Sequence, residues 1–293
     1  MITSKTELAQ IPQIIEERMD QIIKEEVSKD VLNFRECLSY AVLGGGKKIR
    51  SRLLIASAST FNADFMKAVD CACALEFIHS ASLILDDLPS MDNAKFRRNK
   101  ETLHRVYGEG QAILASAALY TMAFNIISKI GHNNIAKIIQ EMTESIGSNG
   151  LIAGQYVDIS NIGSMKNAIK SKEDLFEMYY LKTGLLFTCA IKIGALLGDA
   201  SENQIEILGN FGKNLGIAYQ IRDDLLDYQT FAQTGKDANK DEENGKITSV
   251  TLLGKENAKK EFKYLINDSK LQMSNLGRNS SQIFEIMEFI ENG

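Results

Sequence analysis

Two stretches of this chain put adjacent carboxylates where the apolar pattern marks the interior. In SLILDDLPSMDNAKFRRNK (82–100), Asp86 and Asp87 close an apolar run and Asp92 follows. In GIAYQIRDDLLDYQ (216–229), Asp223, Asp224 and Asp227 sit inside an apolar helical pattern. One such pair is ordinarily a solvated helix end; two sets of the same form, each after an apolar helix, ask for a shared explanation. Residues 223 and 227 are four apart, so one helix face presents both. Pro89 stops the first helix, and the loop behind it can return Asp92 beside Asp86. If the two sets face each other across a cavity, the carboxylates crowd together. Two like charges about 4 Å apart repel by roughly 4 kcal/mol at an effective dielectric near 20. Such a cluster needs cations. All-oxygen ligands select hard divalent ions, and magnesium keeps waters and bridges to phosphates. The pattern points to a magnesium–diphosphate site inside a helical bundle.

The rest of the chain fits that architecture. Of 293 residues only Pro12 and Pro89 are prolines, 44% are hydrophobic, and a 3.6-residue period dominates. The spacing predicts helices over 5–29, 31–43, 50–60, 64–86, 111–130, 134–148, 173–197, 202–228, 249–268 and 280–291. Residues 147–155 read as a close-packed helical region, and the polar stretch 231–248 as a surface loop or lid. No repeat, strand run or linker divides the chain, so the expectation is a single all-α domain over 1–293, built around a deep central cavity. A net charge of −5 argues against bulk nucleic-acid binding. Cys37, Cys71, Cys73 and Cys189 show no zinc spacing and read as buried thiols in a reducing compartment. The start lacks a basic-then-apolar leader, and no uninterrupted apolar run reaches the roughly 18 residues of a membrane span. Stretch 185–197 comes nearest and is broken by Lys192. The expected setting is the cytoplasm.

The basic residues complement the acids. Gly45, Gly46, Lys47, Lys48 and Arg50 form a flexible cationic turn before a helix, and Arg97 and Arg98 follow the first acidic set. Glycines let backbone approach a phosphate, and lysine and arginine supply donors. Alone, GGGKKIR is a weak signal: it is not the GxxxxGK[ST] phosphate loop, and no strand precedes it.

Taken together, GGGKKIRSRLL, EFIHSASLILDDLPSMDNAKFRRNKETLHRVYGEGQAILA, LKTG and GIAYQIRDDLLD resemble the bacterial trans-isoprenyl diphosphate synthases, with the motifs in that family's order. The resemblance implies an isoprenoid synthase type I fold and elongation of an allylic diphosphate by isopentenyl diphosphate, giving geranylgeranyl or farnesyl diphosphate. It implies magnesium, three ions per site with manganese as a substitute, and a homodimer without a membrane span. Asp86, Asp87 and Asp92 match the first metal-binding motif; Asp223, Asp224 and Asp227 match the second. Lys47, Arg50, His79 and Arg98 match the isopentenyl diphosphate site. Arg97, Lys182, Lys236 and Lys246 match the holders of the allylic diphosphate, and Thr183 and Gln220 match polar groups around the reacting carbon. Ala81 and Ser82, one turn before Asp86, stand where the growing tail would meet its floor; small residues there favour the twenty-carbon product.

The chain departs from the family pattern at Ser51 (usually proline), at Asn99 (usually glycine), at Asn239 before Asp241, and in lacking a basic tail. A class I terpene cyclase or a non-catalytic subunit is the alternative. The DDLLD form of the second motif and the presence of Lys47, Arg50 and His79 favour the synthase.

Overall fold

The computed structural model describes residues 8–29, 31–160, 169–234 and 247–292. The order is α1 (Ile11–Glu26), α2 (Phe34–Val42), α3 (Ile49–Thr60), α4 (Phe65–Asp86), β1 (Phe96–Arg97), β2 (Lys100–Glu101), α5 (Leu103–Tyr107), α6 (Glu109–Ser128), α7 (Ile135–Ile146), α8 (Leu151–Ser160) and α9 (Lys172–Tyr179). A π-helical turn, Tyr180–Gly184, leads into α10 (Leu185–Leu197), followed by α11 (Glu202–Thr234), α12 (Ser249–Leu253), α13 (Lys255–Ser274) and α14 (Ser281–Asn292). The all-α expectation holds. The described residues form two compact units, one within 1–139 and 193–199, the other within 140–192 and 200–293.

In the first unit, α4 is the hub. It packs chiefly on α6 and α3. Asp64 starts it, its Oδ1 accepting the Lys67 amide at 2.9 Å, as an N-cap does. Its apolar residues surround the helix rather than forming a stripe, and Cys71, Ala72, Cys73, Ala74, Leu75, Phe77 and Ile78 are all fully buried. A helix apolar all round buries everything it carries, so the polar groups it does carry become conspicuous. Pro12 lies in the first turn of α1, where a missing amide proton costs nothing.

In the second unit α11 is the spine and α13 packs along it. Ser171 and Asp174 form a reciprocal cap at the start of α9: Ser171 Oγ accepts the Asp174 amide at 3.1 Å, and Asp174 Oδ2 accepts the Ser171 amide at 3.0 Å.

Several expected boundaries shift, each for a local reason. Gly147–Gly150 break the chain before α8. Gly254, at φ +82°, separates α12 from α13 inside the expected 249–268 helix. Helix α11 continues to Thr234, four residues into the stretch read as a loop; the remainder of that loop lies outside the described residues. All four cysteines are buried and unbridged, as expected.

By length and composition alone, α4, α6 and the segment Lys172–Leu197 are each long and apolar enough to cross a bilayer. Counting only uninterrupted apolar residues passed over α4 and α6, because a span tolerates occasional polar or charged residues. Burial inside the protein accounts for 78% of the α4 window and 72% of the 172–197 window, against 44% for α6.

Glycine also sets how closely α10 approaches α3. A Cβ on Gly194 would lie 2.3 Å from the Leu54 carbonyl and 2.7 Å from the Ala58 amide nitrogen, both backbone atoms that cannot rotate away. Gly194→Val is therefore expected to destabilise the protein by at least about 1–3 kcal/mol, the cost of overpacking a filled core, with a matching fall in the urea midpoint.

Candidate active site

In the first unit the chain after α4 folds back on itself. The Asp92 amide donates to the Asp86 carbonyl at 2.9 Å and the Ala94 amide to the Asp87 carbonyl at 3.2 Å, so Asp92 returns beside Asp86 as expected. Arg97, on β1, then grips Asp87: Nε is 2.8 and 2.9 Å from its two carboxylate oxygens, and Nη2 is 2.7 Å from Oδ1. Burial raises the Asp87 carboxyl above its ordinary pKa, and Arg97 offsets part of that rise. Asp86 and Asp92 are only half-buried. Tyr120 of α6 adds a donor the sequence did not suggest: burial, with Asp86 adding to it, pushes the phenol to about 12, so it stays protonated.

The turn joining β1 to β2 has Arg98 and Asn99 at φ +53° and +63°, the left-handed pair a two-residue hairpin requires. Asparagine tolerates that region, which explains how Asn99 replaces the family's glycine. Arg98 does so at a cost and is placed against the glycine turn: Nη1 donates to the Gly45 carbonyl at 3.3 Å, and a Cβ on Gly46 would meet its Cζ at 2.8 Å. Arg50 and His79 meet at 3.2 Å between Nη1 and Nε2. Arginine only donates, so Nε2 accepts and the imidazole proton sits on Nδ1. Burial and the nearby Arg50, Arg98, Lys48 and Arg97 hold His79 well below its ordinary pKa, so the ring is neutral. Gly44, Gly45, Arg97, Arg98 and Lys100 line one concave site that opens to solvent.

One expectation is not met. The Gly44 and Gly45 amides do not stand open for a phosphate; they donate to Glu16 Oε1 at 3.2 and 3.3 Å. The adjacent lysines also part company: Lys47 is exposed, while Lys48 is 4% exposed and points inward.

In the second unit the π-turn carries Lys182 and Thr183. Glycine holds it on both sides: a Cβ on Gly154 of α8 would lie 2.4 Å from the Lys182 amide nitrogen, and one on Gly216 of α11 would lie 2.3 Å from the Gly184 Cα. Backbone packed this tightly fixes the extra residue of the turn, and with it the direction of the side chains. Lys182 Nζ is 2.5 Å from Asp158 Oδ2. Thr183 Oγ1 donates to Gln220 Oε1 at 3.0 Å, and Gln220 Nε2 donates to Asp224 Oδ1 at 3.3 Å. Asp224 Oδ2 accepts the Tyr179 hydroxyl, the Ser249 amide at 2.8 Å and the Ser249 hydroxyl at 2.7 Å. Burial raises the Asp224 carboxyl, with these donors working against it. Asp223 is half-buried and Asp227 exposed. Asp158, Lys182, Thr183, Gln220 and Asp224 line a second concavity.

A rule common to both acidic sets emerges. The middle aspartate, Asp87 or Asp224, is buried and bound by protein donors, while the flanking ones reach solvent. Among the described residues no three acidic, histidine or cysteine side chains converge as a ready-made metal site. Magnesium takes one or two carboxylates and fills its shell with water and phosphate oxygens, and carboxylates are the donors both sets supply. Ala81 is fully buried, its carbonyl accepting from Ser116 Oγ at 2.9 Å, and Ser82 Oγ donates to the His79 carbonyl at 2.9 Å. Lys236, Lys246, Asn239 and Asp241 lie outside the described residues. Asp158 and Glu76 were missed, although each is an acid inside an apolar run, the signal that exposed the two triplets.

The chain matches the polyprenyl synthetase family model over residues 32–287, and it belongs to that family. It is 38% identical over 242 residues to "Geranylgeranyl pyrophosphate synthase 4" of Arabidopsis thaliana, a match covering 82% of this chain and 65% of that protein, just under two thirds of the plant protein's length. An FPP/GFPP synthase from Zymomonas mobilis superposes with a TM-score of 0.83 at 29% identity, covering 97% of both chains. A geranyltransferase from Helicobacter pylori, complexed with magnesium and isoprenyl diphosphate, superposes at 0.78 with 25% identity, covering 100% of this chain and 98% of that one.

The neutral state of His79 has a consequence for stability. Below about pH 6.5 the unfolded chain takes up a proton that the folded ring resists, so stability falls with falling pH by up to about 1.4 kcal/mol per unit. Urea melts between pH 8 and 5 are expected to show a shallower loss for His79→Gln than for the parent.

Proposed function

We propose that the protein is a short-chain trans-prenyltransferase that joins isopentenyl diphosphate to an allylic diphosphate by magnesium-dependent head-to-tail elongation. The burial pattern of the two acidic sets carries this reading. In each, the middle aspartate is buried, while the outer ones lie nearer the surface: Asp86, Asp92 and Asp223 half-buried and Asp227 exposed. Asp86, Asp92, Asp223 and Asp227 are then the metal ligands, and Asp87 and Asp224 hold Arg97 and the Tyr179–Ser249–Gln220 cluster in place. Family membership and the Helicobacter pylori complex support magnesium as the ion.

When bound, magnesium would supply Lewis-acid pull on the leaving diphosphate. Lys182 and Arg97 add fixed positive charge for that group; Lys236 and Lys246 are assigned to it by motif alone. As the allylic carbon–oxygen bond breaks, the diphosphate leaves with the electron pair and a carbocation remains. Thr183 donates its hydroxyl hydrogen bond to Gln220 Oε1, so the lone pairs of its hydroxyl remain to face developing positive charge. Isopentenyl diphosphate, held by Lys47, Arg50, His79 and Arg98, presents its double bond to the cation. A carbon–carbon bond forms, and the proton lost from the adduct passes to the released diphosphate. Because water would quench the cation, position and dryness do most of the catalytic work.

Three magnesium ions replaceable by manganese, a homodimer, a cytoplasmic setting and a single functional domain complete the proposal. The preferred product is the twenty-carbon chain, supported by small Ala81 and Ser82 and by the likeness to a geranylgeranyl pyrophosphate synthase.

Incubation with labelled isopentenyl diphosphate and an allylic primer is expected to give a linear prenyl diphosphate that disappears when magnesium is chelated; a cyclised hydrocarbon or no product contradicts the proposal. Asp223→Asn is expected to lower kcat at least about a hundredfold and raise the magnesium needed for half-activity, as loss of a metal ligand should. For Ala81→Tyr, chromatography of the dephosphorylated product is expected to show fifteen carbons in place of twenty, because five helical residues span about 7.5 Å, roughly one or two isoprene units.

A further inference from the structure

The buried face of α4 opposite the glycine turn holds a charged group the mechanism does not use. Glu76 is 2% exposed and lies three residues before His79, on the same side of the helix. Its Oε1 accepts the hydroxyl of Ser51 at 2.6 Å, and its Oε2 is 3.6 Å from Lys48 Nζ. Ser51 is completely buried, and Lys48 Nζ also donates to the Val42 carbonyl at the end of α2, at 3.2 Å. These three polar side chains thus tie α2, α3 and α4 together at the start of α3. Lys48 has the left-handed φ of +47°, unfavourable for a lysine, and turns its ammonium inward while Lys47 stays exposed. Arg50 lies within the same first turn of α3 and meets His79 one helical turn along α4 from Glu76.

We propose that Glu76, through Lys48 and Ser51, is the positioning residue that sets the isopentenyl diphosphate subsite. It locks the register of α3 on α4, so that Arg50 meets His79 and Lys47 points outward. This rests on the assignment of Lys47, Arg50, His79 and Arg98 to that substrate. An ion pair this deep contributes little net stability, because desolvation consumes much of its attraction. What it fixes is geometry: a buried ammonium and a buried carboxylate have one favourable arrangement, and the turn must adopt the backbone that permits it.

Removing one partner would strand a buried charge and unfold the region, so the informative variant removes the whole set: Lys48→Met/Ser51→Ala/Glu76→Leu, which exchanges the three for apolar groups. It is expected to melt cooperatively, with KM for isopentenyl diphosphate raised about tenfold while KM for the allylic primer and kcat stay within roughly threefold, the split expected when one substrate's site loses its alignment. Should the triple variant fail to fold, Ser51→Ala alone, which leaves the ion pair intact, is expected to raise the same KM about threefold. A folded variant in which neither KM moves, or in which both rise together, overturns the positioning role. A parent protein that elongates no primer at all overturns instead the functional reading beneath it.

Discussion

A carboxylate taken out of water among aliphatic side chains must find donors or a cation, because its desolvation costs several kcal/mol. That constraint organises this chain. Glu76 is answered by Lys48 and Ser51, Asp87 by Arg97, Asp158 by Lys182, and Asp224 by Tyr179, Gln220 and Ser249. Each answer ties together elements distant in sequence: α4 to α3, α4 to the 96–101 hairpin, α8 to the π-turn, and α11 to both α9 and α12. The buried acids are the structural half of the system. The outer acids of the two triplets lie nearer to solvent.

The two units use the same solution in different surroundings. In the first, arginines dominate: Arg50, Arg97 and Arg98 gather round a neutral histidine and a turn whose amides are already engaged by Glu16. In the second, a relay of hydrogen bonds runs from Thr183 through Gln220 to Asp224, on backbone pressed together at Gly154 and Gly216. One surrounding is rich in guanidinium groups and the other in neutral hydrogen-bonding side chains.

Much of this was legible in the sequence because helices advertise themselves. The period of the apolar residues gave α4, α6 and the start of α11 to within two residues, and Pro89 marked where the first acidic set leaves its helix. The π-turn at Tyr180–Gly184 was invisible, since it arises from glycine contacts with α8 and α11, tertiary events that no local pattern encodes. The fate of GGGKK was misread for a similar reason: nothing local tells Lys47, which faces water, from Lys48, which faces Glu76. Helices α4 and α6 passed unremarked as potential spans because isolated polar and charged residues interrupted the count. The different duties of aspartates within one triplet likewise depend on partners far along the chain.

The account turns on metal-borne diphosphate at the outer aspartates. A crystal structure of the protein with magnesium and a non-ionisable allylic diphosphate analogue tests it most directly. The account predicts metal density about 2.0–2.1 Å from carboxylate oxygens of Asp86 and Asp92, and likewise at Asp223, with diphosphate oxygens completing each shell. An analogue bound away from these residues, or held there with no metal on either set, would contradict it.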